Sequence, residues 1–127
     1  MSRRDTGRLG EDVCGKVLAA AGYQIVARNY HSRYGEIDLI AQKDGVLAFV
    51  EVKARREDSI ALPREFVDIK KQRKIIKTAL SYLSVTGSPL QPRFDVFEVC
   101  LDPSTGKVSG TQHIENAFEA GDIDEIF

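Results

Sequence analysis

Asp44-Gly45 constrains the fold of this chain most, because this dipeptide joins two short apolar stretches, residues 35–41 and 46–53. Both stretches are rich in Val, Ile, Leu and Phe, as β-strands are. An Asp-Gly pair between such stretches is the strongest short sequence signal for a tight β-hairpin. The sequence therefore predicts an antiparallel hairpin in which Lys43 faces Val46.

This predicted hairpin brings charged side chains together. Counted from the turn, Asp38 lies directly opposite Glu51, and Glu36 lies opposite Lys53. Facing residues share one side of a sheet, so Asp38, Glu51 and Lys53 are expected to project together. Two facing carboxylates repel each other, and apolar neighbours on the same side add a desolvation cost.

A hard divalent cation would remove this conflict, because Mg²⁺ is commonly held by one or two carboxylates together with water and substrate phosphates. The pattern predicts Mg²⁺- or Mn²⁺-dependent attack of water on a phosphodiester, with Asp38 and Glu51 holding the metal and the Val52 carbonyl as a further candidate ligand. Lys53 would orient or deprotonate the water, or balance phosphate charge. The alternative is a charged sheet face in which Lys53 pairs with Glu36 or Glu51, worth only roughly tenths of a kcal/mol.

The first predicted helix spans residues 6–21, with Asp5 or Thr6 as its N-cap. Its predicted apolar stripe consists of Leu9, Val13 and Val17.

Glu11 in this helix has a glycine one turn to either side, Gly7 and Gly15. Glycine is costly inside a helix, so this pair predicts close approach of another element or a ligand. Glu11 is therefore a candidate metal ligand or water-positioning group. The alternative is a solvated acidic residue favoured by the helix dipole.

The second predicted helix spans residues 68–86, with Asp68 as its N-cap and Gly87 as its terminator. Its predicted apolar side is formed by Ile69, Ile76, Ala79, Leu80 and Leu83, and its other side is rich in Lys and Arg.

Further strands are predicted at residues 23–30, 93–101 and, more weakly, 107–115. Residues 54–67 are predicted to form a long loop bordering the carboxylates. The resulting order, αβββαβ(β), predicts an α/β fold with one mixed sheet flanked by helices. A chain of 127 residues is expected to form one domain.

The net charge of −1 argues against a nucleic-acid partner, but the distribution of charge along the chain keeps such a partner open. The tail, residues 115–127, carries −5, so the remainder carries +4. Basic side chains expected to contact DNA phosphates are Arg55, Arg56, Lys70, Lys71 and Lys74. The alternatives are a solvated helix face for the lysines and a protein-binding role for the tail.

Three aromatic residues, Tyr30, Tyr34 and Phe66, could stack on unpaired bases or pack in the core and at its rim. His31 and His113 have no partner evident from the sequence.

Cysteine usage and hydropathy predict a cytoplasmic protein. Cys14 and Cys100 form no CxxC pair and lie in apolar patterns, as expected of buried free thiols in a reducing compartment. No apolar run approaches the roughly 20 residues that span a bilayer. The N-terminus has no apolar stretch typical of a secretory signal.

Six short motifs occur in an informative order: Gly10-Glu11, Arg28-Asn29-Tyr30, Gly35–Ala41, Phe49–Arg55, Lys71-Gln72-Arg73 and Arg93-Phe94-Asp95. Together they resemble the UPF0102 family, also called YraN-like, over about residues 7–118. The combination GEIDLIA and FVEVKAR at this spacing carries most of the resemblance.

The resemblance implies a restriction-endonuclease-like fold, similar to the PD-(D/E)xK nucleases and to archaeal Holliday-junction resolvases. It implies Asp38 as the D of that pattern, Glu51-Val52-Lys53 as the ExK, and Glu11 as an additional helical carboxylate. DNA, branched or single-stranded, is the implied substrate. Because junction resolvases are dimers, a homodimer is also implied.

The resemblance leaves a second class of function open, a nucleic-acid-binding or scaffold protein that retains the nuclease fold without hydrolysing DNA. One departure from the family is visible. Many relatives carry Phe-Gly after the lysine strand, where this chain has Ile60-Ala61. If the glycine adopts a positive φ, Ala61 requires a different loop path.

Overall fold

A five-stranded mixed sheet with a helix packed on each face forms the core of the computed structural model, which describes residues 3–58 and 67–121. The elements are α1 (Arg3–Ala20), β1 (Gln24–Ser32), β2 (Gly35–Lys43), β3 (Val46–Arg56), α2 (Ile69–Thr86), β4 (Gln91–Leu101) and β5 (Val108–Phe118). The strands follow chain order across the sheet. Only the pairing of β3 with β4 is parallel, and α2 provides the crossover between them. This arrangement confirms the predicted α/β class.

The β2–β3 hairpin has the predicted register. Lys43 pairs with Val46, and the turn residues have positive φ, 50° at Asp44 and 80° at Gly45. A type I′ turn requires this geometry, and its twist matches that of the flanking strands.

Helix α2 begins and ends as predicted. The Asp68 carboxylate accepts the N–H of Lys71 at 2.7 Å, and Gly87 adopts φ 64° while its N–H reaches the Leu83 carbonyl at 2.8 Å. These bonds satisfy groups that a helix end leaves without partners.

One predicted core residue of α2 is exposed. Ile69, the first residue of the helix, is 59% exposed, whereas burial within α2 begins at Ile75. Helical periodicity alone therefore misassigned this position.

Helix α1 begins at Arg3, earlier than predicted, so Asp5 and Thr6 lie within the helix and do not cap it. The predicted stripe is confirmed at Leu9 and Val13, which are partly buried and pack against the core, and wrong at Val17. Cys14 and Leu18 are fully buried, while Val17 is 37% exposed. Small residues occupy the centre of the contact because the helix lies very close to the sheet.

The closest approach of α1 to the sheet is at Gly10. A Cβ at this position would lie 3.3 Å from Cγ1 of Val52, whereas one at Gly7 would meet nothing within 4 Å. A Cβ at Gly15 would make an ordinary contact, 3.8 Å from Leu39. The predicted close approach therefore exists, but it occurs at Gly10.

All five described strands extend beyond their predicted limits, β2 to Lys43 and β4 from Gln91. β1 includes His31 and Ser32, β3 continues to Arg56 within the predicted loop, and β5 continues to Phe118 within the predicted tail. Ile60-Ala61 and Phe66 lie outside the described residues, as do residues 122–127 of the tail. No helix within residues 3–58 and 67–121 combines the length and hydropathy needed to cross a membrane.

Gly7 and Gly10 of α1 form a matched test of this packing. We expect Gly7→Ala to raise the free energy of unfolding by about 0.5–1 kcal/mol, because alanine favours the helix and meets no neighbour. The same gain should be absent in Gly10→Ala, since the β-branched Val52 side chain must give way. Chemical denaturation measures both values. An equal gain in both variants would contradict the tight contact at Gly10.

Candidate functional site

Asp38 lies where the regular pairing of β2 is interrupted on both sides. The β2–β3 ladder ends at Leu39 and Val50, one pair short of Asp38. On the other side, Asn29 of β1 has φ 50° and no partner in the β1–β2 register. The Asp38 side chain uses the opening between β2 and β3, where its Oδ2 accepts the N–H of Val52 at 2.8 Å. A side-chain bond to the main chain thus takes the place of the next ladder pair.

Glu51, the residue before Val52, is buried and contacts two lysines. Its side chain is 5% exposed, and its Oε1 lies 3.3 Å from Nζ of Lys53 and 3.3 Å from Nζ of Lys71. Lys53 is two positions further along β3, whereas Lys71 comes from the first turn of α2. The two ammonium groups offset the cost of burying the carboxylate. The structure therefore places Lys71, a predicted phosphate contact, beside Glu51.

Burial raises the pKa of Asp38 from 3.8 to about 7, and the negative charge of Glu51 adds to the rise. The Val52 N–H opposes this shift, while the charges of Glu11 and Glu36 increase it further. Near neutral pH, Asp38 is therefore divided between its charged and protonated forms. A site with this electrostatic character favours binding of either a proton or a cation.

Glu11 lies beside this site but does not join a compact ligand group. It lines an open polar cleft of about 740 Å³, with Glu36 on another wall. Within the described part of the chain, no three His, Cys, Asp or Glu side chains are grouped so that they could hold one metal ion. Glu11 thus affects Asp38 through its charge, and its catalytic or ligand role stays a prediction.

The other predicted DNA contacts are in different surroundings. Arg55 directs its Nε to within 2.8 Å of the buried Glu98 carboxylate, and Arg56 pairs with Asp58 at 2.8 Å on the surface. Lys70 and Lys74 are exposed on α2. Arg55 therefore balances a buried acid on β4, a role that the sequence did not reveal.

The three candidate stacking residues also differ in where they lie. Tyr30 packs edge-on against Tyr82 of α2 with ring centroids 5.1 Å apart, so it belongs to the core. Tyr34 is partly exposed in the β1–β2 turn, and Phe66 lies outside the described residues.

The two cysteines differ in burial. Cys14 is fully buried, and burial, with the charge of Asp38 adding to it, raises the pKa of its thiol to about 12. Cys100 is only partly buried, and its thiol donates a hydrogen bond to Glu98 at 3.1 Å. Both thiols are free. The prediction of buried free thiols is therefore confirmed for Cys14 and wrong in part for Cys100.

Asp95 on β4 is the centre of a buried network that sequence reasoning missed. The fully buried carboxylate accepts two bonds from the Arg93 guanidinium at 2.8 Å and one from the Asn116 N–H at 3.0 Å, and it lies 2.8 Å from His113 Nε2. Arg93 also donates to the Tyr23 hydroxyl at 2.7 Å. The spacing of Arg93 and Asp95 was an available signal, because residues two apart share a face of a strand.

The network lowers the pKa of Asp95, whereas the surroundings of Asp38 raise the pKa of that carboxylate. Burial by itself raises the pKa of Asp95, but bonds from His113, Arg93 and the Asn116 N–H together hold it below 3.8. Asp95 therefore remains ionised, as expected of a structural acid with several donors.

Asp38 predicts an unusual dependence of stability on pH. Its folded-state pKa exceeds the ordinary value, so the folded protein binds this proton more tightly than the unfolded chain between about pH 4 and pH 7. The cost of its buried charge is absent below pH 4 and fully present above pH 7. Replacing Asp38 with Asn should raise the free energy of unfolding at pH 8 by roughly 2 kcal/mol, a value discounted because the carboxylate is partly exposed.

Denaturation of wild type and Asp38→Asn at pH 4 and pH 8, without added metal, measures this effect. The surface variant Asp44→Asn is the matched control, because asparagine also tolerates its positive φ. An equal pH dependence in wild type and Asp38→Asn would contradict the elevated pKa.

Asp95 should behave as a structural acid. We expect Asp95→Asn to lower the free energy of unfolding by about 3 kcal/mol or more, because it leaves the largely buried Arg93 charge without its carboxylate. Asp58→Asn is the control, since it breaks an exposed Arg–Asp pair with the same spacing and should cost below about 1 kcal/mol. Similar losses in thermal or chemical denaturation would contradict this distinction.

Comparison with known proteins identifies the family. Residues 10–99 match the family described as "Uncharacterised protein family UPF0102". A UPF0102 protein of Symbiobacterium thermophilum is 48% identical over 121 residues, covering 94% of this chain and 100% of the relative. Another from Caldanaerobacter subterraneus subsp. tengcongensis is 40% identical over 119 residues, covering 93% and 98%, respectively. The chain, with its GEIDLIA and FVEVKAR strands paired around Asp38 and Glu51, belongs to the UPF0102 family.

Proposed function

We propose that this protein hydrolyses DNA phosphodiesters in a divalent-metal-dependent reaction at Asp38, Glu51 and Lys53. One observation carries the proposal. Two acidic side chains from adjacent strands meet where the β2–β3 ladder ends, and the charge of one raises the pKa of the other. A fold gains no stability from this arrangement, whereas a bound divalent cation would remove the repulsion.

The chemistry of the available donors fits Mg²⁺ or Mn²⁺. Asp38 and Glu51 supply hard carboxylate oxygens, and the Val52 carbonyl is a further oxygen on the same strand. Mg²⁺ commonly takes only one or two carboxylates and completes its coordination with water and substrate phosphates. Two protein carboxylates therefore suffice for such an ion. When bound, the metal would supply water activation and would stabilise negative charge on the phosphate.

Lys53 and Lys71 have different roles before and after the substrate binds. Before substrate arrives, Lys53 and Lys71 balance the charge of Glu51. A metal on Glu51 would take over that charge balance, and each ammonium could then turn towards water or phosphate. In the proposed reaction, Lys53 orients the attacking water and Lys71 contacts a phosphate oxygen. Glu11, which lines the adjacent cleft, positions water.

DNA is the proposed substrate because of the basic surface around this site. Lys70 and Lys74 extend along the same helix as Lys71 and project into solvent. Such charges attract a phosphate backbone without reading its sequence. The resemblance to junction resolvases supports branched or single-stranded DNA and a homodimer.

A second candidate function is nucleic-acid binding without hydrolysis. The specific observation in its favour is that Lys53 and Lys71 already balance Glu51 without a metal. Under this alternative, the carboxylates and lysines form a structural ion-pair network. DNA affinity would then depend on Lys70, Lys71 and Lys74 but not on metal or Asp38.

Metal binding and cleavage together decide between these functions. We expect Mn²⁺ binding by calorimetry in wild type and its loss in the double variant Asp38→Asn/Glu51→Gln. The cleavage rate on branched or single-stranded DNA should fall at least about 100-fold in either single variant, as expected when a group that stabilises transition-state charge is removed. Asp44→Asn, which alters an exposed turn carboxylate, should bind and cleave as wild type does.

Cleavage at the wild-type rate in Asp38→Asn would contradict the proposed reaction. DNA binding without cleavage by wild type in Mg²⁺ or Mn²⁺ would favour the second function. The wild-type protein should therefore be assayed for binding and cleavage on the same branched, single-stranded and duplex substrates.

A further inference from the structure

A basic groove lies between the β1–β2 turn and α2, separate from the carboxylate pair. It has a volume of about 360 Å³ and is lined by Arg33, Tyr34, Lys70, Arg73, Lys74 and Lys77. Among the described residues, its wall thus contains five cations, one aromatic ring and no carboxylate. An adjoining cavity of about 430 Å³ shares Arg33, Tyr34 and Lys77 and continues along α2 to Val85. The two cavities form one path along the helix.

Most of these cations have no ion-pair partner among the residues that the structure describes. Within residues 3–58 and 67–121, no salt bridge involves Arg33, Lys70, Arg73 or Lys74. Clustered like charges repel each other and give the groove a positive potential. Folding does not require this cluster, since the buried residues of α2 lie on its other side. A polyanion would convert the repulsion into favourable contacts.

The turn that forms one wall is fastened to α2. Ser32 and Thr78 share a hydrogen bond between their hydroxyl groups at 3.0 Å. A Cβ at Gly35 would lie 3.5 Å from Cβ of Lys74, so the turn rests directly on the helix. The Tyr34 N–H also donates to the Ser32 hydroxyl at 3.0 Å. These contacts fix the width of the groove before any ligand arrives, which reduces the entropy cost of binding.

Tyr34 adds an aromatic ring to the groove, which phosphate binding alone does not require. The Arg33 guanidinium carbon is 4.9 Å from the ring centroid, and Lys77 Nζ is 5.7 Å from it. Aromatic rings between cations are typical of sites that bind single strands, where bases stack on rings and basic side chains follow the phosphates. A paired base in a duplex is already stacked within the helix. An aromatic ring in this setting therefore favours an unpaired strand.

We propose that this groove binds single-stranded nucleic acid, with a base stacked on Tyr34 and adjacent phosphates on Arg33, Arg73 and Lys74. The inference rests on the proposed function, because it says where the substrate's nucleic-acid strand binds next to the carboxylates. Binding in the groove itself requires neither metal nor hydrolysis. The sequence preference is weak, because every base presents an aromatic face to the ring.

The phosphate contacts are tested by fluorescence anisotropy with an oligothymidine of about 16 nucleotides, a length within known site sizes, in EDTA. We expect Arg73→Ala/Lys74→Ala to weaken binding by about tenfold or more, because both proposed phosphate contacts are removed. The slope of log affinity against log salt should shrink by about 1.4, since each contact to a single strand contributes about 0.7. Lys16→Ala/Lys107→Ala is the matched control, because both of its lysines are exposed outside the groove.

The stacking contact is tested at Tyr34. We expect Tyr34→Leu to weaken oligothymidine binding by about tenfold and Tyr34→Trp to retain it. An oligonucleotide carrying 2-aminopurine should be quenched on binding to wild type but not to Tyr34→Leu. Thermal melting of each variant verifies that it is folded. The substituted side chains are exposed or partly exposed, so we expect the variants to fold.

Equal losses of affinity in the groove and control double variants would overturn the inference. So would an unchanged affinity in Tyr34→Leu, or tighter binding to duplex of the same length. Tyr34-dependent binding of an acidic peptide or anionic vesicles in place of the oligonucleotide would also overturn it. Asp38→Asn separates this inference from the proposed reaction. Retained oligothymidine binding with lost cleavage supports both, whereas cleavage without groove-dependent binding removes only the groove.

Discussion

The hydrogen bond from the Val52 N–H to the Asp38 carboxylate is the interaction on which the site depends. In this bond the main-chain donor next to Glu51 is used where the β2–β3 ladder has ended. The bond therefore sets the position of Asp38 relative to Glu51. The Val52 side chain lies against α1 at Gly10, where a Cβ would come within 3.3 Å. A short segment of β3 is thus positioned by β2, by α1 and, through Lys71 on Glu51, by α2.

Asp38 and Asp95 show why burial of an acid does not by itself mark a functional residue. Burial disfavours the charge of both carboxylates, yet the pKa of Asp38 is raised to about 7 and that of Asp95 is lowered. The difference lies in their partners: Asp95 has the Arg93 guanidinium, His113 and a main-chain N–H, whereas Asp38 has one main-chain donor and acidic neighbours. A structural acid is surrounded by donors that compensate its charge, while the compensation at Asp38 is incomplete. Incomplete compensation of this kind is typical of sites that bind ions or transfer protons.

Local sequence signals predicted the hairpin register, the ends of α2 and the α/β class, because each depends on neighbouring residues or on simple periodicity. They failed at the end of the α1 stripe, where Val17 is exposed and Leu18 is buried, since the face that a helix packs against a sheet is a tertiary property. The partners of His113 and Lys71 were also beyond the sequence, because one depends on the pairing of β5 with β4 and the other on the crossover of α2. For the same reason, Arg55 was assigned to DNA before Glu98 was known to lie beside it. The hairpin register and the family resemblance located the candidate acids but could not supply these contacts.

Helix α2 connects the two functional proposals in physical terms. Lys71 and Lys74 are three residues apart, so their side chains are neighbours on the helix surface and their Cα atoms are separated by about 4.5 Å along its axis. Lys71 contacts the carboxylate site, whereas Lys74 lines the basic groove. The lysine that lines the groove and the lysine that contacts Glu51 are therefore about one helical turn apart. Because the β1–β2 turn is fastened to the same helix through Ser32 and Thr78, a strand held in the groove would be positioned on the helix that also contacts the carboxylate site.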